Sequence, residues 1–227
     1  MPSIPADDGR TLAPGVAVRP TPLTPNHYDL YLSSETLHVR SPLAGEHQRR
    51  NIALAIATAI ELRNTHGYNI TNAAIEAGIA NTSWPGRLEF LPPDLLLDVA
   101  HNPAGAWTLR AAIATLPEQQ PRTLIFSCLR DKDLTEMARI LFPLFDSTGG
   151  RPHDHIVFAP IHNPRAASID DLLHAAQALD VPAHPAQDAT EALALARSLT
   201  PTGGLILATG SIYLVGALRD AVLGSGS

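Results

Sequence analysis

Hydrophobic and polar positions follow two patterns along the chain, and the change falls near residues 81–86. From residue 87 onward, short apolar runs alternate with longer segments whose apolar residues recur every three or four positions. The runs predict strands over 87–91, 95–100, 123–128, 155–159, 181–184 and 205–209. The longer segments predict helices over 103–116, 134–145, 169–179 and 189–199, with a last helix from residue 212. This alternation indicates an α/β fold with a mostly parallel, six-stranded sheet covered on both faces, in which 87–91 is the antiparallel strand.

The first third of the chain lacks this alternation. Residues 1–25 carry six prolines and little periodicity, which predicts a linker or irregular segment. Two short strands are predicted over 28–32 and 37–39, and because two strands alone are marginal in water, they indicate a larger sheet in a longer protein. A helix follows, beginning at Gly45 and ending near Gly67, and a second helix over 71–77 is closed by Gly78.

Composition and charge exclude several classes of function. The 227 residues carry a net charge of −6, which argues against a nucleic-acid partner. No apolar run approaches the roughly 20 residues that a membrane span needs, and the first residues lack the apolar stretch of a signal peptide. Cys128 is the single cysteine, so an internal disulfide is excluded. These features predict a cytoplasmic protein with no membrane partner.

The segment over residues 95–105 is the strongest candidate for a ligand site. The apolar run 95–97 leads into Asp98, and Asn102-Pro103 then opens a helix, because proline suits the first helical position. Asp98 therefore lies at the carboxyl end of a strand beside a helix N-terminus, where α/β sheets bind ligands and where a carboxylate commonly accepts hydrogen bonds from ribose. A helix-capping Asp98 followed by a solvated His101 explains the same residues equally well.

Four further residues are candidates on chemical grounds. Gln48 and Asn51 share one face of a helix's first turn, where they either pair with a base or cap the helix, and chemistry alone favours capping. Arg87 follows Gly86, which lets the backbone turn so that the guanidinium faces the crevice and forks onto phosphate. Lys132, the only lysine, lies between two aspartates and either forms a salt-bridged loop or reaches a phosphate or carboxylate.

Two remaining patterns are weaker. Gly210-Ser211 places free amides and a hydroxyl at a helix start, which fits either a second ligand-facing edge or an ordinary turn. Three histidines lie at residues 153, 155 and 162, but no suitably spaced further ligand accompanies them. Solvated loop histidines are the simpler interpretation, and no metal site is predicted.

Five motifs in order then resemble a known family. They are residues 43–51 (LAGEHQRRN), 84–89 (WPGRLE), 98–103 (DVAHNP), 131–133 (DKD) and 210–216 (GSIYLVG). Together they are similar to the C-terminal half of the dihydrofolate synthase/folylpolyglutamate synthase family, relatives of the Mur ligases. The resemblance covers about residues 26–219.

The resemblance implies both a fold and an activity. Members use ATP to convert a substrate carboxylate into an acyl phosphate, which the amine of L-glutamate attacks, and the acid is dihydropteroate, a reduced folate, or both. An N-terminal ATPase domain with a phosphate loop and Mg²⁺ ligands is joined to a Rossmann-like C-terminal domain. Residues 26–83 then correspond to the end of the ATPase domain and 84–222 to the C-terminal domain, and ATP and Mg²⁺ are bound mainly by the domain that these residues lack.

The family's site residues carry over by position. Asn51 resembles the adenine-contacting amide, with Gln48 as a companion, and Arg87 resembles the arginine that reaches the nucleotide phosphates. Asp98 resembles the ribose-binding carboxylate and His101 the adjacent active-site histidine, which makes Arg87 and His101 the candidate catalytic pair. Val99 departs from the pattern, because the family more commonly has glycine there.

Two functions are compatible with these observations. The first is the C-terminal portion of an ATP-dependent folate–glutamate ligase, inactive alone because the sequence contains no phosphate loop. The second is a nucleotide-binding or interaction module that keeps the fold without catalysis. A nicotinamide-dependent oxidoreductase is disfavoured because the glycine fingerprint of dinucleotide sites is missing.

Overall fold

The computed structural model describes residues 23–32 and 35–224. The predicted irregular segment 1–25 lies almost entirely outside the described residues. Across the described part, none of the helices combines the length and apolarity needed to cross a bilayer.

The N-terminal part is a small two-stranded sheet backed by two helices. β1 (Pro25–Tyr31) and β2 (Thr36–Ala44) pair antiparallel, and α1 (Glu46–His66) and α2 (Asn72–Ala80) follow. β2 is much longer than the predicted 37–39, because every second side chain stays buried as far as Ser41 despite the polar sequence there.

The first helix has the predicted bounds, but the second does not. α1 ends at His66, and Gly67 is its C-cap with a left-handed φ of 72°. The prediction that Gly78 closes the second helix is wrong, since α2 continues to Ala80. Asn81 ends it, and its side-chain amide donates to the carbonyl of Ala77 at 2.8 Å.

The remaining residues form the predicted six-stranded sheet. Its strands are β3 (Glu89–Leu91), β4 (Leu95–Leu97), β5 (Arg122–Phe126), β6 (His155–Phe158), β7 (His184–Pro185) and β8 (Leu205–Thr209), in the spatial order β3-β4-β8-β5-β6-β7. β3 pairs antiparallel with β4 and the other pairs are parallel, as predicted. The helices are α3 (Pro103–Ile113), α4 (Leu134–Leu141), α5 (Ile169–Gln177), α6 (Ala189–Leu199) and α7 (Ile212–Gly224).

Several predicted elements differ in detail. The predicted strand 181–184 is wrong in its bounds: only His184–Pro185 pair with β6, because the amide of Val181 still donates to the carbonyl of Ala176 at the end of α5. The predicted helix 134–145 divides into α4 and a 3₁₀ turn over Phe142–Phe145, because Pro143 has no N–H with which to continue the α-helical ladder. The predicted strand 95–100 ends at Leu97, because the next residues leave the sheet to form the loop described below.

Side chains that alternate along the strands build one core on each face of the sheet. Leu124 and Phe126 of β5 pack with α3, α4 and α5, while Ile125 packs with α6 and α7. Phe126 meets the edge of Phe142 at 5.2 Å between ring centroids. Cys128 is buried in the first core, and burial raises the pKa of its thiol to about 12, so it behaves as a small apolar residue.

Candidate functional site

The loops after β4, β5 and β8 meet at the carboxyl edge of the sheet. The amide of Gly210 donates to the carbonyl of Ala100 at 2.9 Å, which ties the loop after β8 to the loop after β4. Gly210 has a φ of +96°, and a Cβ there would lie 2.2 Å from the carbonyl oxygen of Ser127. This approach of three loops fixes where the residues after Leu97 lie.

Asp98 is buried in this edge and holds the backbone on both sides. One carboxylate oxygen accepts from the amide of Leu88 at 3.1 Å, and the other accepts from the amide of Ala100 at 2.9 Å. Burial raises the pKa of Asp98 from 3.8 to about 6, although the two amides and the charge of Arg87 oppose the rise. The helix-capping interpretation of Asp98 is wrong, because Asn102 caps α3 by accepting from the amide of Gly105 at 2.8 Å.

Arg87 projects from a tight turn between two residues with left-handed backbone. Gly86 has a φ of 69° and Leu88 a φ of 50°, and the amide of Val99 donates to the carbonyl of Gly86 at 2.8 Å. Val99 is not among the positive-φ residues, so this loop does not require the family's glycine there. The Arg87 guanidinium lies over the ring of Trp84 at 5.2 Å, and its buried Nε has no hydrogen-bond partner.

The amide side chains of α1 do not cap the helix. Gly45 is the N-cap residue and no side-chain bond caps this end, so the capping interpretation of Gln48 and Asn51 is wrong. The side-chain oxygen of buried Gln48 instead accepts from the amide of Asn51 at 3.1 Å, and its nitrogen lies 3.0 Å from Nε2 of His47. Gln48 is thus in hydrogen-bond contact with Asn51 and within 3.0 Å of His47, both of which line the cavity described next.

A cavity of about 390 Å³ lies between the start of α1 and the Arg87 turn. This volume is within the range of about 300–1,000 Å³ that is usual for ligand pockets. Its lining residues are His47, Arg50, Asn51, Leu54, Arg87, Leu88, Asp98, Ala100, Gly105, Thr108 and Leu109. The structure therefore brings together Asn51, Arg87 and Asp98, which the sequence placed in three separate motifs.

Two cavity residues with ionisable side chains were missed from the sequence. His47 and Arg50 line the cavity beside Asn51, one helical turn apart. Burial and the nearby charge of Arg87 lower the pKa of His47. The signal was available in the sequence, because residues three or four apart on a helix share a face, but Arg50 carries no chemistry that distinguishes it from a solvated arginine.

Four predicted residues are not among those that line this cavity: Gln48, His101, Lys132 and Ser211. His101 is half-buried, with Nδ1 2.9 Å from the carbonyl oxygen of Val99. Ser211 is buried and its hydroxyl accepts from the amide of Tyr213 at 3.2 Å, the geometry of an ordinary turn.

Of the two interpretations of Lys132, the salt-bridged loop is wrong. The carboxylate of Asp131 pairs with Arg165 at 3.0 Å, and that of Asp133 caps α4 by accepting from the amide of Glu136. Within residues 35–224, Lys132 has no carboxylate within ion-pair distance. In the same described part, no three His, Cys, Asp or Glu side chains lie close enough to hold a metal ion.

A family match establishes the class of protein to which this α/β fold belongs. The profile of the family "Mur ligase, glutamate ligase domain" matches residues 86–212, and the chain belongs to this family.

Its similarity to proteins of known function is more specific. It is 34% identical over 188 residues to the folylpolyglutamate synthase of Lacticaseibacillus casei, covering 82% of this chain and 41% of that protein. It is 29% identical over 183 residues to the dihydrofolate synthase/folylpolyglutamate synthase of Bacillus subtilis, covering 80% of this chain and 40% of the relative. The chain thus spans about two fifths of the length of these relatives.

Solved structures agree with these sequence matches. A folylpolyglutamate synthase of Mycobacterium tuberculosis, complexed with ADP and AMPPCP, superposes with a TM-score of 0.69 at 30% identity, over 82% of this chain and 42% of that one. Escherichia coli FolC in complex with DHPP and ADP superposes with a TM-score of 0.72 over 90% of this chain and 46% of that one, but at 23% identity this match speaks to the fold alone.

Proposed function

We propose that this chain provides the nucleotide-closing portion of an ATP-dependent ligase that joins L-glutamate to dihydropteroate or a folate. The observation that supports this most directly is the cavity between α1 and the Arg87 turn, into which an amide, a carboxylate and a guanidinium converge. Residues 26–83 would form the end of an ATPase domain and 84–222 the C-terminal domain. The same proposal places the protein in the cytoplasm.

The cavity's residues suit the parts of a nucleotide. The side-chain amide of Asn51 has an NH₂ group that donates and an oxygen that accepts, and both suit the edge of an adenine base. Asp98 keeps free lone pairs after accepting from two amides, and a ribose hydroxyl is a suitable donor to them. The unpartnered Nε of Arg87 is a donor already removed from water, so a phosphate oxygen would satisfy it.

In the complete reaction, a carboxylate oxygen of the pterin acid attacks the γ-phosphorus of ATP and ADP leaves. The glutamate amine then attacks the acyl carbon, phosphate leaves and an amide forms. Arg87 would hold phosphate oxygens whose charge redistributes during transfer, and His101 would stand beside the reacting groups. Lys132 and Ser211, in other loops of the same edge, are candidates for contact with the acid or with glutamate. Mg²⁺ would be held mainly by the ATPase domain, since the described residues offer no cluster of ligands for it.

The experiment measures ATP-dependent incorporation of labelled glutamate into dihydropteroate or tetrahydrofolate. We expect no turnover from the 227-residue chain alone, because it contains no phosphate loop. We expect product when the chain replaces the matching C-terminal portion of the Lacticaseibacillus casei folylpolyglutamate synthase.

Two results would contradict the proposal. Steady turnover by the isolated chain that Asp98→Ala abolishes would show that no ATPase domain is required. A folded, ATP-binding chimera that forms no product with any pterin acid would favour the alternative of a nucleotide-binding module without catalysis.

A further inference from the structure

The turn that carries Arg87 is fastened at both ends by carboxylates. At one end the amide of Gly86 donates to Oε2 of Glu89 at 2.8 Å. At the other end the amide of Leu88 donates to Asp98. Arg87 is the single residue between these two attachments, so the direction of its side chain depends on both.

Glu89 is itself held by a residue of the last helix. Nε of Arg219 on α7 lies 3.0 Å from one carboxylate oxygen of Glu89 and 3.1 Å from the other. Both side chains are mostly withdrawn from solvent, with exposed fractions of 20% for Glu89 and 33% for Arg219. Neither residue lines the cavity beside Arg87.

The backbone of this turn depends on its surroundings. Leu88 has a left-handed φ of 50°, which a branched side chain adopts only where the rest of the structure enforces it. A Cβ on Gly86 would lie 2.8 Å from Val99 and 3.0 Å from Val215 of α7, so the turn is pressed against that helix. Gly86 therefore packs against α7, and its amide is also the donor to the Glu89 carboxylate.

We propose that Glu89 and Arg219 are positioning residues for Arg87, which hold the Gly86 end of its turn against α7 so that the guanidinium faces the cavity. This rests on the proposed function only in assigning a nucleotide phosphate to Arg87. A merely structural role, in which the pair ties β3 to α7, predicts a different pattern of coupling.

The test is a double-mutant cycle on ADP affinity, measured by calorimetry with the chimera in which this chain replaces the C-terminal portion of the Lacticaseibacillus casei folylpolyglutamate synthase. Glu89→Ala and Arg219→Met should each weaken ADP binding about fivefold or more, because residues in one network couple strongly. In the Arg87→Ala background the same changes should weaken ADP binding less than about twofold, since the group they position is gone. Arg219→Lys should recover part of the affinity, as one donor can still reach Glu89.

A matched control removes a comparable ion pair elsewhere. Asp94 pairs with Arg197 at 3.2 Å between side chains that are partly exposed, away from the Arg87 turn. Asp94→Ala should leave ADP affinity within about twofold of the unaltered chain. Should Glu89→Ala fail to fold, Glu89→Gln takes its place, because it keeps an acceptor for the Gly86 amide and loses the charge.

A second readout separates this inference from the nucleotide assignment. In protein labelled with ¹⁵N-arginine, the Nε–Hε signal of Arg87, identified by its loss in Arg87→Lys, should move in Glu89→Ala and Arg219→Met but not in Asp94→Ala. Equal losses of ADP affinity with and without Arg87, or an unmoved Arg87 signal, would overturn the positioning role. If the Arg87 signal moves but Arg87→Ala leaves ADP affinity unchanged, the phosphate assignment is contradicted while the positioning role is supported.

Discussion

At the scale of single residues, the sequence predicted which side chains meet at the sheet edge better than what they do there. Gly86 and Arg87 were recognised because a glycine before an arginine permits a sharp turn, and the turn is present. The double attachment of Asp98 could not be predicted, because the amide of Leu88 lies ten residues away and reaches Asp98 only after β3 and β4 have paired. Side-chain bonds to distant backbone are products of tertiary structure and leave no local signal.

The buried carboxyl of Asp98 predicts a specific pH dependence of stability. Because its pKa is raised from 3.8 to about 6, the folded state binds this proton more tightly than the unfolded state, so its ionisation lowers the free energy of unfolding. The free energy of unfolding falls by about 3 kcal/mol in total. This decrease is absent below pH 3.8 and complete above about pH 6. Urea unfolding from pH 3.5 to 7 should show the stability of the unaltered chain falling relative to Asp98→Asn. A difference that stays constant over that range would contradict the buried, ionisable state of Asp98.

Substitutions of Arg87 and of Asp98 should have different kinetic effects in an active chimera. Asp98 would hold the ribose equally in ground and transition states, so Asp98→Ala should mainly raise the KM for ATP. Arg87 would face charge that develops during transfer, so Arg87→Ala should lower kcat by about 10²-fold, and Arg87→Lys should restore only part of it. Steady-state kinetics over ATP concentration distinguishes the two. The assignment of roles is wrong if Arg87→Ala alters only KM while Asp98→Ala alters only kcat.

At the scale of elements, helix starts were predictable where the sequence has a residue that can cap the helix. Asn102, Ser168 and Asp188 each accept from an amide three residues ahead, and Ser168 with Asp171 completes a capping box. Ends without such a signal were misplaced, as at Gly78, which sits inside α2 with no special backbone angle. A glycine typically ends a helix where its φ is positive, and the value of φ cannot be read from the sequence.

The turn from β8 into α7 should be intolerant of any side chain at residue 210. A methyl group in Gly210→Ala would lie 2.2 Å from the carbonyl oxygen of Ser127 and 2.6 Å from the ring of Phe126, with a φ of +96°. Overpacking and backbone strain together should lower the free energy of unfolding by about 2–4 kcal/mol. Gly216→Ala is the matched control. A Cβ added at Gly216, inside α7, would have nothing within 4 Å, so this substitution should raise the free energy of unfolding by about 0.5–1 kcal/mol. Denaturant unfolding of the two variants should therefore give shifts of opposite sign, and equal shifts would contradict this geometry.

At the scale of the whole molecule, the sheet was predictable and the cavity was not. Alternation of strand and helix fixes a mostly parallel sheet through general rules of connection. The cavity instead depends on where α1 lies against the Arg87 turn, and these segments are joined through α2 and a turn-rich connection without periodic pattern. His47 and Arg50 were therefore overlooked, while Asn51 was recognised through the family motif rather than through geometry.

The cavity between α1 and the Arg87 turn is proposed to bind a nucleotide, and the other roles assigned here depend on this. The most direct test is a titration of the ¹⁵N-labelled chimera with ADP, followed by the amide and side-chain signals of assigned residues of this chain. We expect saturable shifts at Asn51, Arg87 and Ala100, and their loss in Arg87→Ala. Absence of shifts at these residues, or shifts concentrated in the separate groove between α4 and α5 lined by Arg130 and His174, would contradict the claim.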